Sequence, residues 1–265
     1  MRFKIVMAGR DCFQFVPRSL ESVAGQLDRG FDVCVIDDAS TDLRQPAFVE
    51  KFCRDHGWRF IRNEVHRGSL YNHVAAVNAL SPDHEDVIVS VDADDRLSCP
   101  EALTVVRSYY DRYRPSLTYG SYIPDPSDWR VMPAKHLPDE VILGNSYRAF
   151  SARDDDDDPI WFNHLRTLKH YLFALLDPAV DFTYTHGSWL KTCYDLAITI
   201  PALEMASGRH LMLPEVLYLY TRDNPMSDCY INTEVIQRDK ARIFSLPPKE
   251  PLFDITLPPR LLSPV

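Results

Sequence analysis

The chain has 265 residues, 45% hydrophobic and 25% charged, with 38 acids against 29 bases and a net charge of −9. That length suits one large α/β domain, or one domain with an elaborated end. The acidic balance argues against nucleic acid as the main partner, since phosphate binding draws its affinity from Lys and Arg, and no stretch approaches the roughly 18 apolar residues of a membrane span.

Phe3–Ala8 reads as a first strand, its apolar run being too short for a signal peptide. Phe13–Gln26 places Phe15, Val16, Leu20, Val23 and Ala24 at helical spacing. Phe31–Ile36 is a second strand, Ala47–His56 a short helix and Arg59–Arg62 a third strand. Ser69–Leu80 reads as a helix, Asp86–Val91 as a fourth strand, Pro100–Tyr113 as a helix opened by proline, and Leu117–Tyr122 as a further strand. This alternation predicts a mostly parallel sheet with helices on both faces. The prolines of Pro124–Asp139 predict a surface loop, and the acidic run Asp154–Asp158 a solvated one. Helices are expected around Leu165–Leu176 and Trp189–Ala206, and a late strand at Leu211–Tyr220. The proline-rich tail after Leu246 is expected to wrap the surface. Residues 1–122 thus form one half, 123–246 a second half of the same domain, and 247–265 a tail. The six cysteines are scattered with no CxxC pair, which fits a reduced, cytoplasmic protein.

Two carboxylate clusters end two apolar strands. Asp37-Asp38 begins the segment Asp37–Asp42 after Phe31–Ile36, and Asp92-Ala93-Asp94-Asp95 follows Val87–Val91. In an open α/β sheet, ligands bind beyond the carboxyl ends of the strands. Crowded carboxylates repel one another unless a cation joins them. A hard divalent cation such as Mg²⁺ or Mn²⁺, carrying a phosphorylated ligand, meets that need. Along extended backbone, Asp92 and Asp94 are expected on the same side. Turn-building and helix capping explain the same acids without a ligand, but two clusters at two strand ends are less easily coincidental.

The pattern resembles the family 2 glycosyltransferases of GT-A fold. Ser22-Val-Ala-Gly-Gln26, Asp37–Asp42, Asn63, Gly68, Asn78 and Asp92–Asp95 match that family in order over roughly residues 3–122. The resemblance implies a Rossmann-like sheet with an acceptor-side elaboration after it. It also implies donor contacts from Ala8, Asp37, Asp38, Gly68, Asn72, Asp92 and Ala93, with a nucleobase at Asp37 or Asp38 and ribose at Asp92. Asp94 and Asp95 would hold Mn²⁺ or Mg²⁺. Asp195 would be the general base, although the family's Glu-Asp pair appears here as Tyr194-Asp195. The family's Arg-x-His appears as Arg222-Asp223-Asn224, so Arg222 is expected on pyrophosphate and no histidine ligand is present there. Trp161, His164, Arg166, His186 and Trp189 are candidates for the acceptor side; packing explains the two tryptophans equally well.

The resemblance implies an inverting, metal-assisted transfer of a sugar from a nucleotide-diphosphate donor, most simply a UDP-sugar, to an acceptor hydroxyl. The acceptor stays open between a glycan, a lipid-linked oligosaccharide, a protein and, as a minority reading, a modified DNA base, which would need flipping and a basic groove. A nucleotidyltransferase is the main alternative, but the chain has no P-loop. A non-catalytic nucleotide-sugar-binding protein is the other. A cytoplasmic location is expected, with peripheral membrane association open.

Overall fold

The structure, a computed structural model, describes residues 1–126, 130–152, 162–227 and 233–253. Trp161 and the run Asp154–Asp158 lie outside the described residues.

The first half follows the expected alternation. Strand β1 (Phe3–Gly9) leads to α1 (Val16–Ala24), β2 (Phe31–Asp37), α2 (Arg44–His56), β3 (Arg59–Arg62) and α3 (Ser69–Leu80). Then come β4 (Val87–Asp92), a short β5 (Arg96–Leu97), α4 (Ala102–Tyr113) and β6 (Leu117–Asp125). The second half adds α5 (Asp139–Leu143), α6 (Tyr147–Ser151), β7 (Asn163–Lys169), α7 (His170–Ala174) and α8 (Pro178–Asp181). It ends with α9 (Tyr194–Ala206), β8 (His210–Thr221) and α10 (Thr233–Ser245).

The strands form one sheet in the order β3-β2-β1-β4-β7-β6-β8-β5. Strands β3, β2, β1 and β4 run parallel, while β7 is antiparallel to both β4 and β6. Residue alternation along the strands feeds two cores. Val6, Cys34 and Ile36 pack with α3 and α9 on one face. Ile5, Met7, Val33 and Val35 pack with α1, α2 and α4 on the other. Strands buried on both faces need such continuous apolar runs.

Two expectations need correction. The segment read as one helix over Leu165–Leu176 is a strand followed by a single helical turn. Leucines at 165, 168, 172 and 176 satisfy helical spacing, but Leu165 and Leu168 enter opposite cores, as alternation along a strand requires. Thr167, fully buried there, is satisfied by the hydroxyls of Tyr110 at 2.8 Å and Thr118 at 2.7 Å. The second correction is that the helix expected from Trp189 starts only at Tyr194; Trp189 instead bridges Thr183 in extended backbone. Helix α10 had no counterpart among the expected elements.

Helix α9 is buried from Leu196 to Ala206, as a helix apolar on all sides should be. Within it Glu204, fully buried, receives Arg148 at 3.0 and 2.9 Å. This rigid helix carries Asp195 on its first turn. No described helix is long and apolar enough to cross a membrane.

Candidate active site

Register brings the two acid clusters together. Gly9 at the end of β1 pairs with Asp37, and Ala8 pairs with Asp92, so the clusters flank one strand at one end of the sheet. A Cβ on Gly9 would sit 2.6 Å from the Ala93 Cβ and 2.8 Å from Cys12 Sγ. The close approach of β1 to the Asp92–Asp95 turn therefore requires glycine here.

Asp37 and Asp38 are both buried, and they do different work. Asp37 accepts from the Ser40 N–H at 3.1 Å and the Gln45 amide at 3.0 Å, which fixes the turn into α2. Asp38 accepts from Asn63 at 2.7 Å, the Arg67 N–H at 2.8 Å and the Gly68 N–H at 2.9 Å. Burial pushes the Asp38 carboxyl up, but these donors outweigh it and hold it below the usual carboxylate range. Asn63 also donates to Asn72 at 2.8 Å, so Asp38, Asn63, Gly68 and Asn72 form one pinned loop. Gly68 has φ +96° with ψ 162°, a region open essentially to glycine alone.

A turn at Ala93–Asp94, closed by the Asp95 N–H on Asp92 O at 3.0 Å, ends the strand. Backbone alternation therefore stops at Asp92, and the expected shared side for Asp92 and Asp94 does not follow from it. Asp94 instead accepts from Asn224 at 2.7 Å. Asp95, 1% exposed, accepts the Thr221 N–H at 2.7 Å, and its Oδ2 has no hydrogen-bond partner. Asp92 accepts the Tyr194 hydroxyl on both oxygens, at 2.9 and 3.0 Å, and its N–H donates to the Tyr218 hydroxyl at 3.1 Å. Burial and the Asp94 charge push Asp92 up to about 7. Burial, then the charges of Asp94 and Asp92, raise Asp95 as well.

Asp92, Asp95 and His164 offer ligand atoms within 4.8 Å of one another, a grouping that could hold a metal ion. Burial, and then Arg166, push His164 well down, which keeps its imidazole neutral and able to ligate. The orphan oxygen of Asp95 and the raised acids fit a hard divalent cation, which would satisfy the one and relieve the crowding of the others.

Arg166, 7% exposed, sits beneath these groups. Its Nη1 is 3.5 Å from Asp195 Oδ2, its Nη2 is 3.3 Å from both ring nitrogens of His164, and its guanidinium carbon is 5.8 Å from the Tyr194 ring. Tyr194 stacks on the buried ring of His73 at 4.0 Å and 22°. His73 shares Nδ1 with the Ser69 carbonyl oxygen at 2.9 Å and leaves Nε2 unpartnered. Burial lowers His73 to about 4, so the ring is neutral near pH 7. Burial, then the Asp92 charge, pushes the Tyr194 phenol well up, so it stays a donor.

Of the expected residues, Ala8, Asp92, Ala93, Asp94, Asp95, His164, Arg166 and Asp195 converge on one region. His186 does not join them. It is exposed, bonded to Ser188 Oγ at 2.6 Å and stacked on Tyr184. Trp189 packs edge-on against Tyr71 at 5.3 Å. Arg222 is exposed beside Thr221, its N–H donating to Asp125 O at 2.9 Å. The roles of Tyr194, Tyr218 and Asn224 were not foreseen. Only the positions of these residues within family-like segments could have flagged them.

Residues 5–176 match the sequence profile of the family described as glycosyl transferase family 2. No curated protein sequence matches the chain. Among solved structures, S. aureus TarS 1–349 in complex with UDP-GlcNAc is similar at TM-score 0.62 and 17% identity, over 94% of this chain and 68% of that one. The mannosyltransferase PcManGT from Pyrobaculum calidifontis, in complex with GDP-Man and Mn²⁺, is similar at TM-score 0.55 and 17% identity, over 91% and 61%. GalNAc-T7 with UDP, GalNAc and Mn²⁺ is similar at TM-score 0.54 and 12% identity, over 89% and 48%. This chain spans about two thirds or less of each of these three. At such identity the likeness establishes the fold, a GT-A architecture.

Proposed function

We propose that this chain, which belongs to glycosyl transferase family 2, moves a sugar from a nucleotide-diphosphate donor to an acceptor hydroxyl with inversion, using Asp195 as general base. One observation carries the reading. Asp92, on the donor-side strand, and Asp195, about a hundred residues later on a buried helix, meet around one buried guanidinium, Arg166. That arrangement serves two substrates facing one another.

The pinned loop of Asp38, Asn63, Gly68 and Asn72 would seat the nucleoside, and Asp92 would accept from ribose hydroxyls. Asp94 and Asp95, with Asp92 and His164 adjacent, would hold Mn²⁺ or Mg²⁺. When bound, such an ion supplies charge neutralisation for the departing diphosphate. The donor is proposed to be a UDP-sugar, in keeping with the UDP-GlcNAc and UDP complexes of TarS.

An acceptor hydroxyl is a poor nucleophile near neutral pH. Asp195 takes its proton as the new C–O bond forms, a contribution of roughly 10²–10⁴-fold. Arg166, its Nη1 3.5 Å from Asp195 Oδ2, gives that carboxylate a cationic neighbour. With the base opposite the leaving group, displacement is single and in line, and positioning both substrates supplies much of the rate. Among the described residues, Cys12, Cys34, Cys53, Cys99 and Cys193 are free thiols, which supports a reducing, cytoplasmic setting.

The test is release of nucleoside diphosphate from a sugar-nucleotide panel with Mn²⁺. Asp195→Asn should bind nucleotide as tightly as the parent and release nucleoside diphosphate roughly 10²–10⁴-fold more slowly. No release from any donor by a folded protein would end this reading.

A further inference from the structure

The first turn of α9 must sit correctly against the donor, because it carries the proposed base. Its own capping does not fix it: Cys193 at the N-cap lies in the left-handed region, at φ +55°, and makes no side-chain cap bond. The residues just before it are held elsewhere. The Lys191 and Thr192 N–H groups donate to Asp239 on α10, at 2.9 and 2.8 Å. Lys191 also meets the donor-side loop, its Nζ donating to Arg67 O at 3.0 Å and its carbonyl accepting from Ser69 Oγ at 3.2 Å. From the first turn of α9 itself, the short tie to the donor-side strand among the described residues is the Tyr194 hydroxyl on Asp92. The Arg166 contact to Asp195, at 3.5 Å, is at the limit of a hydrogen bond.

The Tyr194 ring cannot swing freely. His73 covers one face at 4.0 Å, and Arg166 lies 5.8 Å from the ring. Its hydroxyl is therefore a fixed post that spans from helix to strand, and the residue next to it is Asp195.

We propose that Tyr194 is a positioning residue that indexes the base helix to the donor-binding acid, setting the place of Asp195 through its hydrogen bonds to Asp92. The inference rests on the proposed roles of Asp92 and Asp195. Its physical basis is that a misplacement of about 1 Å can cost roughly 10²-fold in rate. The hydroxyl is dispensable for packing, since the stacked ring remains in the phenylalanine variant.

The experiment compares Tyr194→Phe, Asp92→Ala, which removes the acceptor, and the double variant. Tyr194→Phe should lower kcat at saturating donor by roughly 10- to 100-fold, while nucleotide affinity stays within about 3-fold. On the Asp92→Ala background the same change should cost less than about 2-fold, because the acceptor is already gone. A kcat unchanged in Tyr194→Phe, or effects that multiply in full, would overturn the inference. So would a loss of nucleotide affinity equal to the loss of kcat. Hydrogen exchange decides the matter without turnover. The amides of Ala197 and Ile198 should exchange about 10-fold faster in both single variants, and unchanged exchange would overturn it too. If the parent releases no nucleoside diphosphate, the proposed function fails, and the exchange result still judges the tie between Tyr194 and Asp92.

Discussion

The stability that Asp92 contributes should fall as pH rises toward neutrality, and a divalent cation should restore it. Asp92 sits at about 7 in the folded chain against an ordinary 3.8. A carboxyl raised in this way keeps its proton in the folded state after the unfolded chain has lost it. The stability it contributes is therefore present at low pH and is lost between about pH 4 and pH 7. At about 1.4 kcal/mol per pH unit, roughly 2.7 kcal/mol disappears between pH 5 and pH 7. For a domain of this size that lowers Tm by about 5–10 °C. The buried, neutral histidines His73 and His164 contribute in the opposite sense over this range, so the Asp92 part is read as a difference. In thermal melts in EDTA from pH 5 to pH 8, the parent should lose about this much stability relative to Asp92→Asn. Mn²⁺ at about 100 times its Kd should add roughly 2.7 kcal/mol, and more at pH 8 than at pH 5, where protons compete for the same oxygens. A pH dependence of Tm in EDTA that is the same in the parent and in Asp92→Asn would refute the burial of Asp92 beside Asp94 as a source of pH-dependent stability.

Arg148→Met should leave Glu204 buried and uncompensated, costing roughly 3–5 kcal/mol in urea denaturation; a loss under 1 kcal/mol would mean that the pair is solvated. Gly68→Ala forces a Cβ to 3.1 Å from the Lys191 backbone at φ +96°. It should cost about 1–3 kcal/mol and weaken nucleotide binding by calorimetry, which an unchanged affinity would contradict. Asp38→Ala removes the acceptor for Asn63 and for the Arg67 and Gly68 N–H groups. Nucleotide affinity should drop at least about 10-fold while kcat at saturation changes little.

Much of the first half was legible because its physics is local. Short β-branched runs bounded by acids gave the strand ends, and Gly9 and Gly68 mark close approach and unusual backbone. The second half was harder for stated reasons. Strand β7 carries Asn163, His164, Arg166, Thr167 and Lys169, a polar content that signals exposure. Yet it is buried, because tertiary partners satisfy it: Tyr110 and Thr118 for Thr167, and Glu85 for Lys169. Such partners lie 49 to 84 residues away and leave no mark in local periodicity. Asp195 was reached through resemblance alone. The tyrosine beside it, read only as a departure from the Glu-Asp pair, makes the short contact to Asp92. Likewise Asn224, standing where a histidine was missed, donates to Asp94.

The central claim is a single in-line displacement with Asp195 taking the acceptor proton. It is tested most directly by the anomeric configuration of the product, read by NMR after turnover of a UDP-sugar with Mn²⁺, in the parent and in Asp195→Asn. Inversion in the parent, with turnover reduced roughly 10²–10⁴-fold in the variant, is the expected result. Retained configuration, or undiminished turnover in Asp195→Asn, would contradict it.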